Sequence, residues 1–572
     1  MTEPKCTPEY WFLGLDEEGK YFNRLSNQET AIPKSQLLEG RAAGWATQAK
    51  DNWDVKDPTF MLSAFTSGNT VTPFVDGDAY VTSLRRDLGA LRRPPDFALM
   101  AGWQFTSSFD LNRGAEVQPG SQLTEMIAAL AKRNVATRAL AMKLPWPLPQ
   151  NGPFVNDVNA IYPAAGQPPL RAAYLDGIGG GFAFSHHQKE VFVGFQDSAA
   201  CCAYVGGIDL AVDRWDTPAH RKTEKDDKFF GWHDIQVRVQ GNALQALWAN
   251  FAERWDSANR VLGKAASPEY RLLPCPVPDW SDNTPGKHHV QVLRTVAVAS
   301  SRDRERFMPY GELTVLAALA KAIRNAECYI YIEEQFLWDC ELADLIGNQL
   351  KAKPGLRLIV VLAAESEFPP LAKHYSFYLR SQFLMRVMGV NSAAEIAFGR
   401  KTRVYVYGLY QTLARSPKSV YVHSKLIIID DRYVSIGSAN VDKRSMRIET
   451  ELTLGIVDST TVQSVLGGKA TTVCQFAKDL RERLWKEHLN FTGPLSDDPV
   501  EALKNFPEGS VTPWQDGDAY TWPVNQGQAK KKAKYHAQCY VNIPGTANVP
   551  VSIQRLLDRS ERRYSSTKKK KV

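Results

Sequence analysis

Residues 422–430 read "VHSKLIIID" and residues 185–195 read "SHHQKEVFVGF". Each stretch sets a histidine and, two positions on, a lysine at the mouth of an apolar run. Side chains two apart on an extended backbone share a face, so His423 is expected to act with Lys425 and His187 with Lys189. The same parity turns His186 away. Seven positions past its histidine the second stretch ends in Asp430, on the opposite face, where the first has Gly194. An acid on the far face supports a motif and breaks no bond. Gly194→Asp is therefore expected to leave activity within about tenfold.

Outward from these stretches the same pattern runs twice. A helix-like segment at 79–93 leads into an apolar stretch ending "GWQF". A second helix (123–133), a strand (136–143) and the first His-x-Lys follow. In the other half, 311–326 leads into "YIYIEEQFLW", then 341–353, 356–364 and the second His-x-Lys. Gln104 precedes His187 by 83 positions and Gln335 precedes His423 by 88, which identifies an internal repeat. Strands alternating with helices predict an α/β fold of two lobes, with mixed, largely parallel sheets flanked by helices. Proline-rich stretches mark the joints. The divisions read 1–70 N-terminal extension, 71–273 first lobe, 274–289 linker, 290–495 second lobe and 496–572 C-terminal extension. "VTPFVDGDAY" (71–80) and "VTPWQDGDAY" (511–520) form a further echo, read as turn chemistry.

A glycine-containing turn follows each His-x-Lys, "VGGIDLAVDRWDT" (205–217) and "IGSANVDKRSM" (436–446). With these turns the chain resembles the phospholipase D superfamily, whose signature is a duplicated H-x-K-x-x-x-x-D followed by a G-[GS]-x-N-type turn. The resemblance takes in about residues 70–495, including "GWHDIQVRVQG", "VQVLRT" and "LRERLWKEHL". It implies two lobes related by a pseudo-twofold axis with the active site between them. It also implies His187 as nucleophile, forming a phosphohistidine, and His423 as general acid, then base. Lys189, Lys425 and Asn440 would neutralise the phosphate oxygens, a task that ammonium and amide donors suit. Each imidazole needs a carboxylate on its other nitrogen to fix its tautomer. Glu451 stands where the family places that acid, and Asp216, 29 positions after His187, is the first-copy candidate. Asp430 and Ser438 are expected to support the second motif. Asp209, in the first turn where Asn440 stands in the second, is expected to turn away from an anionic substrate.

Such chemistry calls for no metal and no cofactor. The implied activity is hydrolysis of glycerophospholipids to phosphatidate and free head group at a membrane surface, with a nuclease or other phosphodiesterase as the alternative. Nucleic acid is the less expected partner, although "KKKAK" (530–534) and "KKKK" (568–571) would favour any anionic surface. The longest apolar run, Leu358 to Ala364, is seven residues, against roughly 20 for a transmembrane helix. The N-terminus lacks the pattern of a secretory signal. This combination resembles bacterial type VI secretion phospholipase D effectors: toxins made in the cytoplasm, carried by a spike protein into a neighbour's envelope and blocked at home by an immunity protein. Eight cysteines without a CxxC pair read as ordinary thiols. His288 and His289 read as surface loop. Trp248, Phe251 and Trp255, at helical spacing, read as core. His233 in "GWHD" reads as support for the site.

Overall fold

The computed structural model describes residues 4–12, 65–112, 120–143, 151–166, 173–176, 185–220, 231–261, 272, 285–296, 312–363, 370–391, 402–411, 418–505 and 518–521. The first repeat contains β1 (Phe65–Val75), β2 (Phe97–Gly102), β3 (Ala136–Met142), β4 (Ala173–Asp176), β5 (Glu190–Gly194), β6 (Cys202–Gly206), β7 (Trp232–His233) and β8 (Ile235–Gln240). The second contains β9 (His288–Val296), β10 (Glu312–Leu313), β11 (Tyr329–Glu334), β12 (Arg357–Leu362), β13 (Val404–Gln411), β14 (Lys418–Ser419), β15 (Tyr421–Val422), β16 (Leu426–Ile429), β17 (Tyr433–Gly437) and β18 (Glu451–Asp458).

Pairing orders the first sheet β4-β3-β2-β5-β6-β8-β1. The second runs β13-β12-β11-β16-β17-β18-β9. Strand for strand the two orders match, as a duplicated unit requires. Each sheet is parallel over the three strands joined by helical crossovers and antiparallel over the rest, the division expected from connection length. The two sheets are continuous, because β1 also pairs with β9 (Phe65↔Gln291).

Helices bury their apolar faces on these sheets. In Thr314–Asn325 the residues Val315, Leu319, Ala322 and Ile323, at helical spacing, are all buried. The helix Cys340–Ala352 starts at Asp339, whose carboxylate accepts the Leu342 N–H at 2.9 Å. Trp248, Phe251 and Trp255 are core residues. His288 and His289 differ from expectation: both lie on β9 at the junction of the sheets, with His289 Nδ1 2.8 Å from the Ser67 hydroxyl. Residues 273–284, most of the expected linker, and both lysine runs lie outside the described residues. Among the described residues no helix is long and apolar enough to cross a membrane.

Candidate active site

Both His-x-Lys segments lie just before a strand, where alternation does not yet apply. His187 and Lys189 precede β5; His423 and Lys425 sit between β15 and β16. Lysine and histidine are coupled through the backbone instead. Lys189 Nζ donates to the carbonyl of His187 at 2.8 Å, and Lys425 Nζ donates to that of His423. Lys425 also donates to Gln335 Oε1 at 3.1 Å.

What holds each histidine comes from the other repeat. The His187 N–H donates to the Thr450 carbonyl at 3.0 Å, and the Thr450 N–H to Ser185 at 2.9 Å. That bridge brings Glu451, the first residue of β18, onto His187 Nδ1 at 2.9 and 3.1 Å. Symmetrically, β7 pairs with β15 (Tyr421↔Trp232, Val422↔His233), and the His423 N–H donates to the His233 carbonyl at 2.7 Å. Asp234, next in sequence, accepts from His423 Nδ1 at 2.6 Å. Each carboxylate fixes the Nδ1–H tautomer and leaves Nε2 to react.

Asp216 therefore has a different place from the one expected. It accepts from His220 Nδ1 at 2.9 Å and from the N–H groups of Thr217 and Trp232, and touches neither His187 nor His423. The counterpart of Glu451 is Asp234, 47 positions after His187. A sequence signal for it exists: Asp234 opens "DIQVRVQ" as Glu451 opens "ELTLGIV", an acid at the head of an alternating strand. No strand follows Asp216 directly.

The glycine turns let these strands approach. A Cβ on Gly207 would lie 2.1 Å from Asp234 Oδ1, and one on Gly206 2.3 Å from the Ile235 carbonyl. Ser438 holds the position matching Gly207, and its hydroxyl donates to Glu451 Oε2 at 2.5 Å. Asn440 is buried, its Oδ1 without a hydrogen-bond partner.

Two reciprocal exchanges explain where the repeats diverge. Asp430 adopts φ 53° in a turn, so its direction is set by that turn and not by strand parity. Its carboxylate accepts the N–H groups of Glu327, Cys328 and Tyr329, each at 2.8 Å. In the first repeat the same kind of cap comes from Asp96, which accepts from Arg92, Arg93 and Gln196. The Phe97 ring fills the space that a side chain at Gly194 would need, 2.4 Å from a built Cβ. Support is thus relocated, not lost. Likewise Glu334 caps Gln335, Phe336 and Val441 in the second repeat. Its counterpart in the strand pairing is Gly102, and there Asp209 reaches across to cap Trp103 (2.8 Å) and Gln104 (3.2 Å). The other Asp209 oxygen lies 3.4 Å from Lys189 Nζ, so the acid faces the lysine rather than turning fully away.

Burial, reinforced by Lys189, holds His187 well below the ordinary imidazole value. Burial and then Lys425, Arg214, Lys189 and His187 do the same to His423. Both lysines act on both rings, as expected where the crossed pairing brings the two His-x-Lys segments to one junction between the repeats. Burial raises Glu451 to about 7 against the Ser438 hydrogen bond, and Asp234 to about 6 against the charge of Lys425. Two neutral imidazoles, two ammonium groups and two carboxylates in a water-poor site can attack, protonate and neutralise an anionic tetrahedral centre.

A family model described as "Phospholipase D" matches residues 169–341 and 400–516, which is 290 of the 572 residues. The chain is similar to phospholipase D gamma 1 of Arabidopsis thaliana, 26% identical over 443 residues covering 59% of this chain and 51% of that protein. It is also similar to phospholipase D1 of Homo sapiens, 27% identical over 338 residues, or 51% of this chain and 29% of that one. The chain thus spans about half the length of the plant relative and less of the human one. The crystal structure of phosphatidylserine synthase from Haemophilus influenzae Rd KW20 superposes with a TM-score of 0.48 at 14% identity, over 86% of this chain and 97% of that chain. The family match takes in both His-x-Lys segments, and the chain belongs to the phospholipase D family.

Proposed function

We propose that this chain is a phospholipase D that cleaves the distal phosphodiester of glycerophospholipids through a covalent phosphohistidine. The observation that carries the reading is the crossed pairing, in which each repeat's histidine is oriented by the other repeat's carboxylate. His187 Nε2 attacks phosphorus as the bond to the head-group oxygen breaks, and His423 Nε2–H protonates that oxygen. His423 then takes a proton from water, whose oxygen displaces His187 and releases phosphatidate. Lys189 and Lys425 neutralise the non-bridging oxygens, the task a metal ion performs elsewhere. An anionic phosphate between the lysines offsets their charge and so raises the proton affinity of the imidazole that acts as acid.

Mixed phospholipid vesicles, with products read by mass, test this reading. Phosphatidate and free head group are expected, and cleavage of DNA or RNA with intact lipid would replace the reading with the nuclease alternative. The resemblance to secreted bacterial effectors supports a further role as a toxin acting in a neighbour's envelope, with an immunity protein and a spike protein as partners. Expression directed to the periplasm should then harm cells; harm from the cytoplasm alone would overturn that role.

A further inference from the structure

Behind Asp234 lies a second set of buried ionisable groups that the mechanism does not use. His233 Nδ1 donates to Asp76 Oδ1 at 3.0 Å and faces Glu487 Oε1 at 3.4 Å, while Nε2 donates to Glu333 Oε2 at 2.9 Å. Carboxylates facing both ring nitrogens favour a ring protonated on both, an imidazolium. The other oxygen of Glu333 accepts from His488 Nε2 at 2.8 Å and from the Tyr331 hydroxyl at 2.5 Å. His220, held by Asp216, stands edge-on to His233 with ring centres 5.9 Å apart. Burial opposes the charge on His233, but Glu333, Asp76 and Glu487 overcome it and raise the ring well above the ordinary imidazole value.

The bonded groups belong to both repeats. Asp76, in the first "DGDAY" echo, and His233 lie in the first; Glu333 on β11, and Glu487 and His488 on the helix Gln475–His488, lie in the second. His233 also occupies a sensitive place in the chain. Its carbonyl receives the His423 N–H, and the next residue holds the His423 ring. The Asp234 carbonyl in turn receives the Asp76 N–H at 2.9 Å. Glu333 stands two residues before Gln335, which holds Lys425.

We propose that His233 is a positioning residue: its imidazolium, bound by carboxylates of both repeats, fixes the backbone that presents Asp234 to His423 and the strand that presents Gln335 to Lys425. One ligand atom from each of Asp76, His220, His233 and Glu487 lies within 4.8 Å of the others, a spacing a divalent ion also accepts. A ring with two N–H groups, however, has no lone pair to give a metal. The bound proton does the work that an ion would do.

The kinetic arm of the test rests on the phospholipase reading; the spectroscopic arm does not. In ¹⁵N-histidine spectra of the full chain, the His233 ring should stay doubly protonated at pH 7.5. Glu333→Gln should shift the His423 ring resonances. In vesicle assays His233→Gln should lower kcat about tenfold or more with KM within about twofold, the signature of lost transition-state alignment. If His233→Gln does not fold, Glu333→Gln carries the same kinetic expectation. A neutral His233 ring, unshifted His423 resonances in Glu333→Gln, unchanged kcat in the folded variant, or one equivalent of divalent metal per purified chain would each overturn the proposal. Failure of the wild type to release any head group would instead sink the phospholipase reading, and the ring spectra would still decide the role of His233.

Discussion

Restoring the missing aspartate of the first motif, Gly194→Asp, should damage the protein, against the tolerance that strand parity alone implies, because the space behind the reacting face is filled by Phe97. On β5 Gly194 stands opposite Phe97, and a built Cβ lies 2.4 to 2.9 Å from three atoms of that ring. The ring has little room to yield, being buried and stacked on Phe192 with centroids 5.8 Å apart and planes 3° from parallel. Forcing atoms into a packed core costs about 1–3 kcal/mol. The carboxylate adds its own penalty, because the N–H groups of Arg92, Arg93 and Gln196 that cap this loop already bond Asp96. An unsatisfied buried polar group costs about 1–3 kcal/mol more. A loss of roughly 2–6 kcal/mol is a large part of the 5–15 kcal/mol typical of a folded domain. Urea unfolding followed by tryptophan fluorescence measures it. Gly194→Ala should show only the steric part, and Phe97→Ala should recover stability in the Gly194→Asp background, giving a coupling of at least about 1 kcal/mol. A Gly194→Asp protein that unfolds within about 0.5 kcal/mol of wild type, the ordinary range for an innocuous surface change, would refute the reasoning.

Three other outcomes follow from the centre itself. Asp234→Asn and Glu451→Gln should each lower kcat about a hundredfold or more, because each loses the acceptor that fixes an imidazole tautomer; Asp216→Asn should cost far less turnover. Lys425→Ala should cost about 3 kcal/mol of transition-state stabilisation in kcat/KM, as loss of an oxyanion donor does. Because burial and Lys189 lower the proton affinity of His187, the attacking nitrogen stays free on acidification. The value of kcat/KM should nevertheless fall between pH 7.5 and pH 6, because Glu451, raised to about 7, and Asp234, raised to about 6, take up protons there and stop serving as acceptors for the histidines.

The alternation of strands with helices and the internal duplication are legible because they rest on local pattern: apolar runs of strand length, helical spacing in Thr314–Asn325, and two His-x-Lys segments at nearly equal distance from a glutamine. What failed was inference across the gap between repeats. Asp216 stands at the sequence distance that fits Glu451, but residues 217–233 intervene in the first repeat, and strand position selects Asp234 instead. Asp430 has the supporting place expected of it, capping Glu327, Cys328 and Tyr329, but its direction is set by a turn with φ 53° and not by strand parity. Compensation was hidden for the same reason. Asp96 reaches Gln196, and Asp209 reaches Trp103 and Gln104, across about 100 residues of chain, and only the paired sheet brings them together.

The measurement closest to the central claim is a trapping experiment. His423→Asn protein, incubated with phospholipid vesicles and digested for mass spectrometry, lacks the base that activates water. It should accumulate a phosphatidyl group on His187. Label on any other residue, or none while head group is still released, would contradict the assignment of His187 as nucleophile.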